Sequence, residues 1–219
     1  IKLDRIDESI DCYQYLIELN PKNFKPYVEK AELLESIGNK TEAYSLYKKA
    51  ILMEPKNASL FIKYGYFLYR IDRFEEALIA YKASIQLEPI NPGAMKNMGY
   101  LYKKIRKFEK AIFYLKESVQ IDDNDEVNHN IGSMYCDLGN YIEGIRYYDR
   151  AIKIKSDIAV YFISKAYALE SLNQIDKAIL SYDKALKINN EHKYLFSERF
   201  NIKNSICDWS NFENEANWI

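Results

Sequence analysis

The feature that most restricts what this chain can fold into is a period. The stretch Ala58–Asn91, ASLFIKYGYFLYRIDRFEEALIAYKASIQLEPIN, holds two amphipathic runs joined by a polar corner at Ile71-Asp72-Arg73. Phe61, Tyr64, Gly65 and Leu68 recur at i, i+3, i+4, i+7, and Phe74, Ala77, Leu78, Tyr81 and Ile85 share a second face. Each spacing predicts a helix with one apolar side. Small residues (Gly65, Ala77, Ser84) stand where two helices of a hairpin come close, and Pro89 ends the second helix. One such hairpin cannot bury its own apolar face, so it needs neighbours of the same kind.

The chain supplies them about every 34 residues, over 24–57, 58–91, 92–124 (one residue short), 125–158 and 159–192. The close-packing positions continue as Ala31, Ala43, Ala50; Gly99, Ala111, Ser118; Gly132, Gly144, Ala151; and Ala166, Ala178, Ala185. The bulky position of each second helix holds Tyr47, Tyr81, Leu115, Tyr148 and Tyr182. This pattern resembles the tetratricopeptide repeat family, which implies an all-α, right-handed solenoid of helix hairpins. Residues 1–23 read as a partial repeat, with Ser9, Tyr13, Leu16 and Pro21 in register with Ala43, Tyr47, Ala50 and Pro55, and a chain cut from a longer protein is expected. Residues 193–219 read as a capping helix, with Trp209 and Trp218 over the open end, leading into a missing region. Asn128 replaces the large apolar residue found as Tyr27, Phe61, Met95 and Phe162, which predicts a soft fourth repeat.

Totals exclude several classes of function. A net charge of −1 lacks the basic excess that phosphate binding requires, so no nucleic acid is expected. Cys12, Cys136 and Cys207 are far apart, which speaks against a metal site or disulfide and for a reducing compartment, cytoplasmic or nuclear. No apolar run approaches the ~18–20 residues that cross a bilayer. The acidic joint Asp122–Glu126 lacks the glycine and closing glutamate of a calcium loop and reads as a helix-starting turn. Asn91 before Pro92 reads as a cap followed by a first-turn proline. No catalytic residue or cofactor is expected: His129 and His192 lie at no helical spacing that brings them to a Cys, Ser or carboxylate, and no Gly-rich phosphate loop follows a strand. Glu42, Glu75, Glu76 and Glu109 read as solvated faces of second helices.

What the tetratricopeptide resemblance leaves is a surface. In that family the first helices line an inner groove, with positions 2, 5, 6, 9, 12 and 13 facing it. Here those positions give Glu29, Glu32 and Glu35; then Lys63, Tyr66, Tyr69 and Arg70; then Lys96, Asn97, Tyr100, Lys103 and Lys104; then His129, Asn130, Ser133 and Asp137; then Ser164, Tyr167 and Glu170. A basic, tyrosine-lined middle suits an extended protein or peptide ligand bearing acidic groups. The expected peptide-binding residues are Lys63, Tyr66, Arg70, Asn97, Tyr100, Lys104 and Asn130. The carboxylate clamp of co-chaperone tetratricopeptides does not match, because Tyr100, Val160 and Ser164 stand where Asn and the later cations would.

A second resemblance concerns the end of the chain. Cys207-Asp208-Trp209-Ser210-Asn211-Phe212 resembles the junction between tetratricopeptides and catalytic region in the O-linked N-acetylglucosamine transferase (SPINDLY-type) family. That resemblance implies a substrate-recognition arm of a protein glycosyltransferase whose catalytic region is absent. It also implies an asparagine ladder on peptide backbone, met here by Asn97 and Asn130 and departed from at Glu29, Lys63, Ser164 and Glu198. The alternative is a stand-alone interaction scaffold or adaptor.

Overall fold

The structure is a computed structural model that describes residues 2–189, 199 and 201–203. Among these residues there are eleven α-helices and no strand: α1 (Lys2–Leu19), α2 (Phe24–Ser36), α3 (Lys40–Met53), α4 (Ala58–Arg70), α5 (Phe74–Leu87), α6 (Pro92–Lys104), α7 (Phe108–Ile121), α8 (Asp125–Asp137), α9 (Tyr141–Ile154), α10 (Ala159–Ser171) and α11 (Ile175–Ile188). The expected all-α array of tetratricopeptide hairpins is what forms. Every first helix from α2 on has 13 residues and every second helix 14. The residue missing from the third repeat is taken from the joint 122–124, so the helices keep their length.

The helix starts have a local cause. Asn23, Asn57, Asn91 and Asn124 precede α2, α4, α6 and α8, and each side chain accepts a backbone N–H of the first turn. Asn39 and Asn140 do the same for α3 and α9. Pro92 occupies the first turn of α6, where no helical N–H is required. The acidic joint is a helix start as expected, with Asn124 capping and Asp125 and Glu126 in the first turn.

The chain divides into two compact units, Ile1–Ile105 and Arg106–Ile219. In the first, α1 packs on α2, α2 pairs with α3, α4 pairs with α5, and α6 lies against α4 and α5. Ala31, Ala43, Ala50 and Ala77 are 0 % exposed, and Gly65 is buried too. A Cβ on Gly65 would stand 2.6 Å from the Tyr81 ring, so the bare backbone lets that wide ring lie flat across α4. Burying such a side chain contributes about 1.5–3 kcal/mol.

In the second unit, α8 pairs with α9 and α10 with α11, and α9 and α10 are in contact. Gly132 and Gly144 bring α8 and α9 closest, since a Cβ on Gly132 would meet Gly144 O at 2.9 Å and the Tyr148 ring at 2.7 Å. Asn128, expected to soften this repeat, is fully buried, but its Nδ2 donates to Asp123 Oδ1 (2.6 Å) and to Asn124 O (2.8 Å). The amide nitrogen thus ties the incoming joint to α8, while the buried Oδ1 finds no hydrogen-bond partner among the described residues. Ile202 is buried with Phe162, Leu169, Ile179 and Leu186 of α10 and α11. The junction Cys207–Phe212, Trp209, Trp218 and His192 lie outside the described residues.

Candidate functional site

In the first unit the inner-face residues sit at matching places. Lys63, Tyr66 and Arg70 occupy positions 6, 9 and 13 of α4; Asn97, Tyr100 and Lys104 occupy the same positions of α6, which packs against α4. Lys63, Arg70 and Lys104 are exposed, Tyr66 is 51 % exposed, and Asn97 and Tyr100 are half-buried.

The cations do not stand alone. Lys63 Nζ lies 2.5 Å from Glu32 Oε1, and Arg70 Nη1 lies 2.9 Å from Glu35 Oε1, both acids on α2. The acidic stretch and the basic middle, separate in the sequence, are one ion-paired surface here. Glu35 is the more constrained acid, because its side chain is only 9 % exposed. Burial raises its pKa, against the pull of Arg70 and with help from Glu32. The exposed Lys63–Glu32 pair is worth only about 0–1 kcal/mol, so a ligand carboxylate can compete for Lys63, whereas drawing Arg70 away would leave the largely buried Glu35 carboxylate unpaired. A cavity of about 240 Å³ opens beside them between the starts of α2 and α4, with Glu29 and Lys63, both at position 6, in its wall.

Asn130 belongs to the second unit, where it is half-buried and its Nδ2 donates to Glu126 O of its own helix at 3.0 Å. One and two helical turns on, Ser133 and Asp137 line a groove of about 220 Å³ with Ser164 and Tyr167 of α10. The register reading placed these four on the inner face, and the structure brings them together. It misses Cys136, Tyr141, Tyr148, Ala168 and Ser171, which complete the lining. The signal was Gly144: its lack of a side chain makes the room that the Cys136 Sγ fills. Burial pushes the Cys136 thiol pKa up, opposed by a hydrogen bond with Tyr148, so this thiol is poorly ionised.

The expectation for His129 is corrected. Its ring lies between Tyr148 and Tyr161, at centroid distances of 5.4 and 4.9 Å, and its Nε2 is 2.9 Å from Ser164 Oγ. The Ser164 contact spans 35 residues, one repeat, which helical spacing does not reveal. Spacing within α8 does give Ser133 at i+4, whose Oγ donates to His129 O at 3.2 Å, and Glu126 at i−3 as neighbours. A serine beside an imidazole is not by itself a nucleophilic centre. Both residues sit inside helices, where their backbone N–H groups are consumed by the i−4 carbonyls, so they offer no oxyanion donors. The arrangement can hold a polar ligand group by hydrogen bonds.

Known proteins place the chain. Residues 27–169 match the model of the cilia and flagella-associated protein 70 middle TPR-like domain, and residues 159–192 match the tetratricopeptide repeat, the same limits as the fifth repeat. A curated relative, the NADPH oxidase activator of Dictyostelium discoideum, is 24 % identical over 81 residues, which is 37 % of this chain and 13 % of that protein. Among solved structures, YrrB, described as a TPR protein with an unusual peptide-binding site, superposes with a TM-score of 0.70 at 20 % identity, covering 85 % of this chain and 97 % of that one. MamA gives 0.71 at 21 % identity, covering 77 % and 92 %. The C-terminal part of a TPR repeat-containing protein from Cytophaga hutchinsonii gives 0.80 at 15 % identity, covering 98 % and 87 %. At these identities the structural likeness is one of fold. With its hairpins, its spacing and the family model over 27–169, the chain is a tetratricopeptide protein-interaction domain and belongs to the family of the cilia and flagella-associated protein 70 middle TPR-like domain.

Proposed function

We propose that this domain is an interaction scaffold that holds an extended polypeptide against the inner helices of its first unit, through Lys63, Tyr66, Arg70, Asn97, Tyr100 and Lys104. The observation that carries this is the pairing of Lys63 with Glu32 and of Arg70 with Glu35. It joins α2 to α4 by ion pairs, and Tyr66, which lies between Lys63 and Arg70 along α4, is half out in solvent. Tyr66 and Tyr100 supply apolar area at small entropic cost, and the Asn97 amide can donate and accept along a backbone. Asn130 acts on its own unit. The matched family's name directs the search for partners to proteins of cilia and flagella.

The glycosyltransferase-arm reading is the second choice. It rests on Cys207–Phe212, outside the described residues, and on Asn97 and Asn130, whereas the family model matched over 27–169 names a different family. A reading frame that continues past Ile219 into a large region of alternating strand and helix would favour it.

The test is a fluorescence titration of a peptide panel. Arg70→Ala with Lys104→Ala should weaken acidic peptides by about two- to tenfold, more at low salt. Glu32→Gln with Glu35→Gln should tighten them, because the cations lose their internal partners. Asn97→Ala should weaken acidic and neutral peptides alike, by a few-fold for one lost hydrogen bond. Asn130→Ala is scored separately. Affinities unchanged across all of these variants would remove the inner face as the site.

A further inference from the structure

The outer side of the first unit carries a second feature, made by other residues. Between α3 and α5, over α4, lies a groove of about 300 Å³ with Phe61 and Tyr64 at its back and Ala80 in its floor. Its rim is Leu52 of α3, 80 % exposed, and Ile79 of α5, 68 % exposed. Single exposed apolar residues are ordinary, but two flanking one apolar groove form a contiguous patch. The groove is open because Ala80 is short. The equivalent seventh position holds Leu46 in α3, Tyr114 in α7 and Tyr147 in α9, and is short again only in α11, with Ser181.

The charges around it are unequal. Glu76 is committed, accepting from Tyr44 Oη at 3.0 Å and pairing with Arg73. Lys48 pairs with no carboxylate among the described residues, and its Nζ lies 5.5 Å from the Tyr44 ring centroid. The groove therefore offers apolar walls and one cation that rests on an aromatic face and has no carboxylate partner among the described residues. Among the described residues around the groove there is no strand edge, and their backbone groups are consumed within helices, so an extended segment would gain no main-chain pairing here. A helix satisfies its own backbone and presents side chains alone.

We propose that this outer groove docks an amphipathic helix of a partner protein, with an aliphatic side chain seated between Leu52 and Ile79 and a carboxylate against Lys48. The site is separate from the inner face, so scaffold and partner helix can engage independently.

The probes are two labelled synthetic helices, with Leu at i, i+4 and i+7 and flanked by Glu in one and by Lys in the other, followed by fluorescence anisotropy. The Glu helix should bind on the order of tenfold tighter than the Lys helix. Lys48→Glu should reverse that order. Leu52→Ser with Ile79→Ser, both at exposed positions, should lose binding by tenfold or more with circular dichroism unchanged, and Ala80→Leu should block it by filling the floor. Arg70→Ala with Lys104→Ala should leave it untouched, which separates this proposal from the inner-face reading. No binding of the Glu helix, indifference to Lys48→Glu, or loss through the inner-face variants would overturn the proposal. So would sedimentation showing self-association that Leu52→Ser with Ile79→Ser abolishes, since the occupant would then be a second copy.

Discussion

The five corners between the helices of a repeat are each three residues long, and in all five the middle residue has positive φ: Gly38 (85°), Asp72 (61°), Arg106 (58°), Gly139 (77°) and Asn173 (55°). The next residue's N–H then closes back on the helix, as from Asn140 N to Tyr135 O at 2.8 Å. Left-handed backbone costs a residue with a Cβ about 1–2 kcal/mol. At Gly139 a Cβ would have nothing within 4 Å, so Gly139→Ala isolates the backbone term and should lower stability by about 1 kcal/mol. The position after it tests the opposite sign. Gln174 precedes α11 at φ −94°, ψ 63°, close to the capping Asn140 at −90° and 69°, yet its side chain caps no backbone N–H. Gln174→Asn should add about 0.5–2 kcal/mol. Urea unfolding of both variants decides: a neutral Gly139→Ala or a destabilising Gln174→Asn would contradict this account of the corners.

At the scale of helices, what could be read from the sequence is what repeats within one helix. Small residues at fixed places mark where two backbones approach, and all fifteen of them are buried. Ala77 is 0 % exposed on the face of α5 turned to α4, so Ala77→Leu should overpack the hairpin and cost about 1–3 kcal/mol. Glu75→Ala, on the exposed side, should stay within about 0.5 kcal/mol. Glu76 corrects the expectation of a solvated acid: it takes the Tyr44 hydroxyl and Arg73, so Glu76→Ala should cost about 1 kcal/mol. Thermal melts of the three variants give the ranking, and equal midpoints would refute the register. The pairings the sequence did not reveal join different repeats. Tyr44–Glu76, Lys63–Glu32, Arg70–Glu35 and His129–Ser164 span 32, 31, 35 and 35 residues. Those offsets scatter about the period, because they depend on how one hairpin steps past the next and on which rotamers reach. Helical spacing carries no information on either.

For the molecule as a whole, stability falls to wedged side chains, since an array of hairpins has no single centre. Many of those wedges are tyrosines. Tyr47, Tyr81 and Tyr148 occupy one equivalent place in three second helices, and burial drives their pKa values well above the ordinary phenol range. Burial raises Tyr64, Tyr147 and Tyr161 as well. Each phenol therefore keeps its proton in the folded chain at a pH where the unfolded chain, with a value near 10.0, gives it up. Because the folded values are the higher ones, this part of the stability is fully present below pH 10 and is lost as pH rises through 10 toward them. Each such phenol contributes a slope of about 1.4 kcal/mol per pH unit in that window. Melting midpoints should hold up to about pH 9 and then fall, with solvent-exposed phenols ionising first and the buried phenols only together with unfolding. Tyr81→Phe should make the alkaline decline shallower by one phenol. If Tyr81→Phe removes phenolate absorbance that appears while the helical signal is still native, that ring is open to solvent, and the assignment of tyrosine as the wedge between helices is undone.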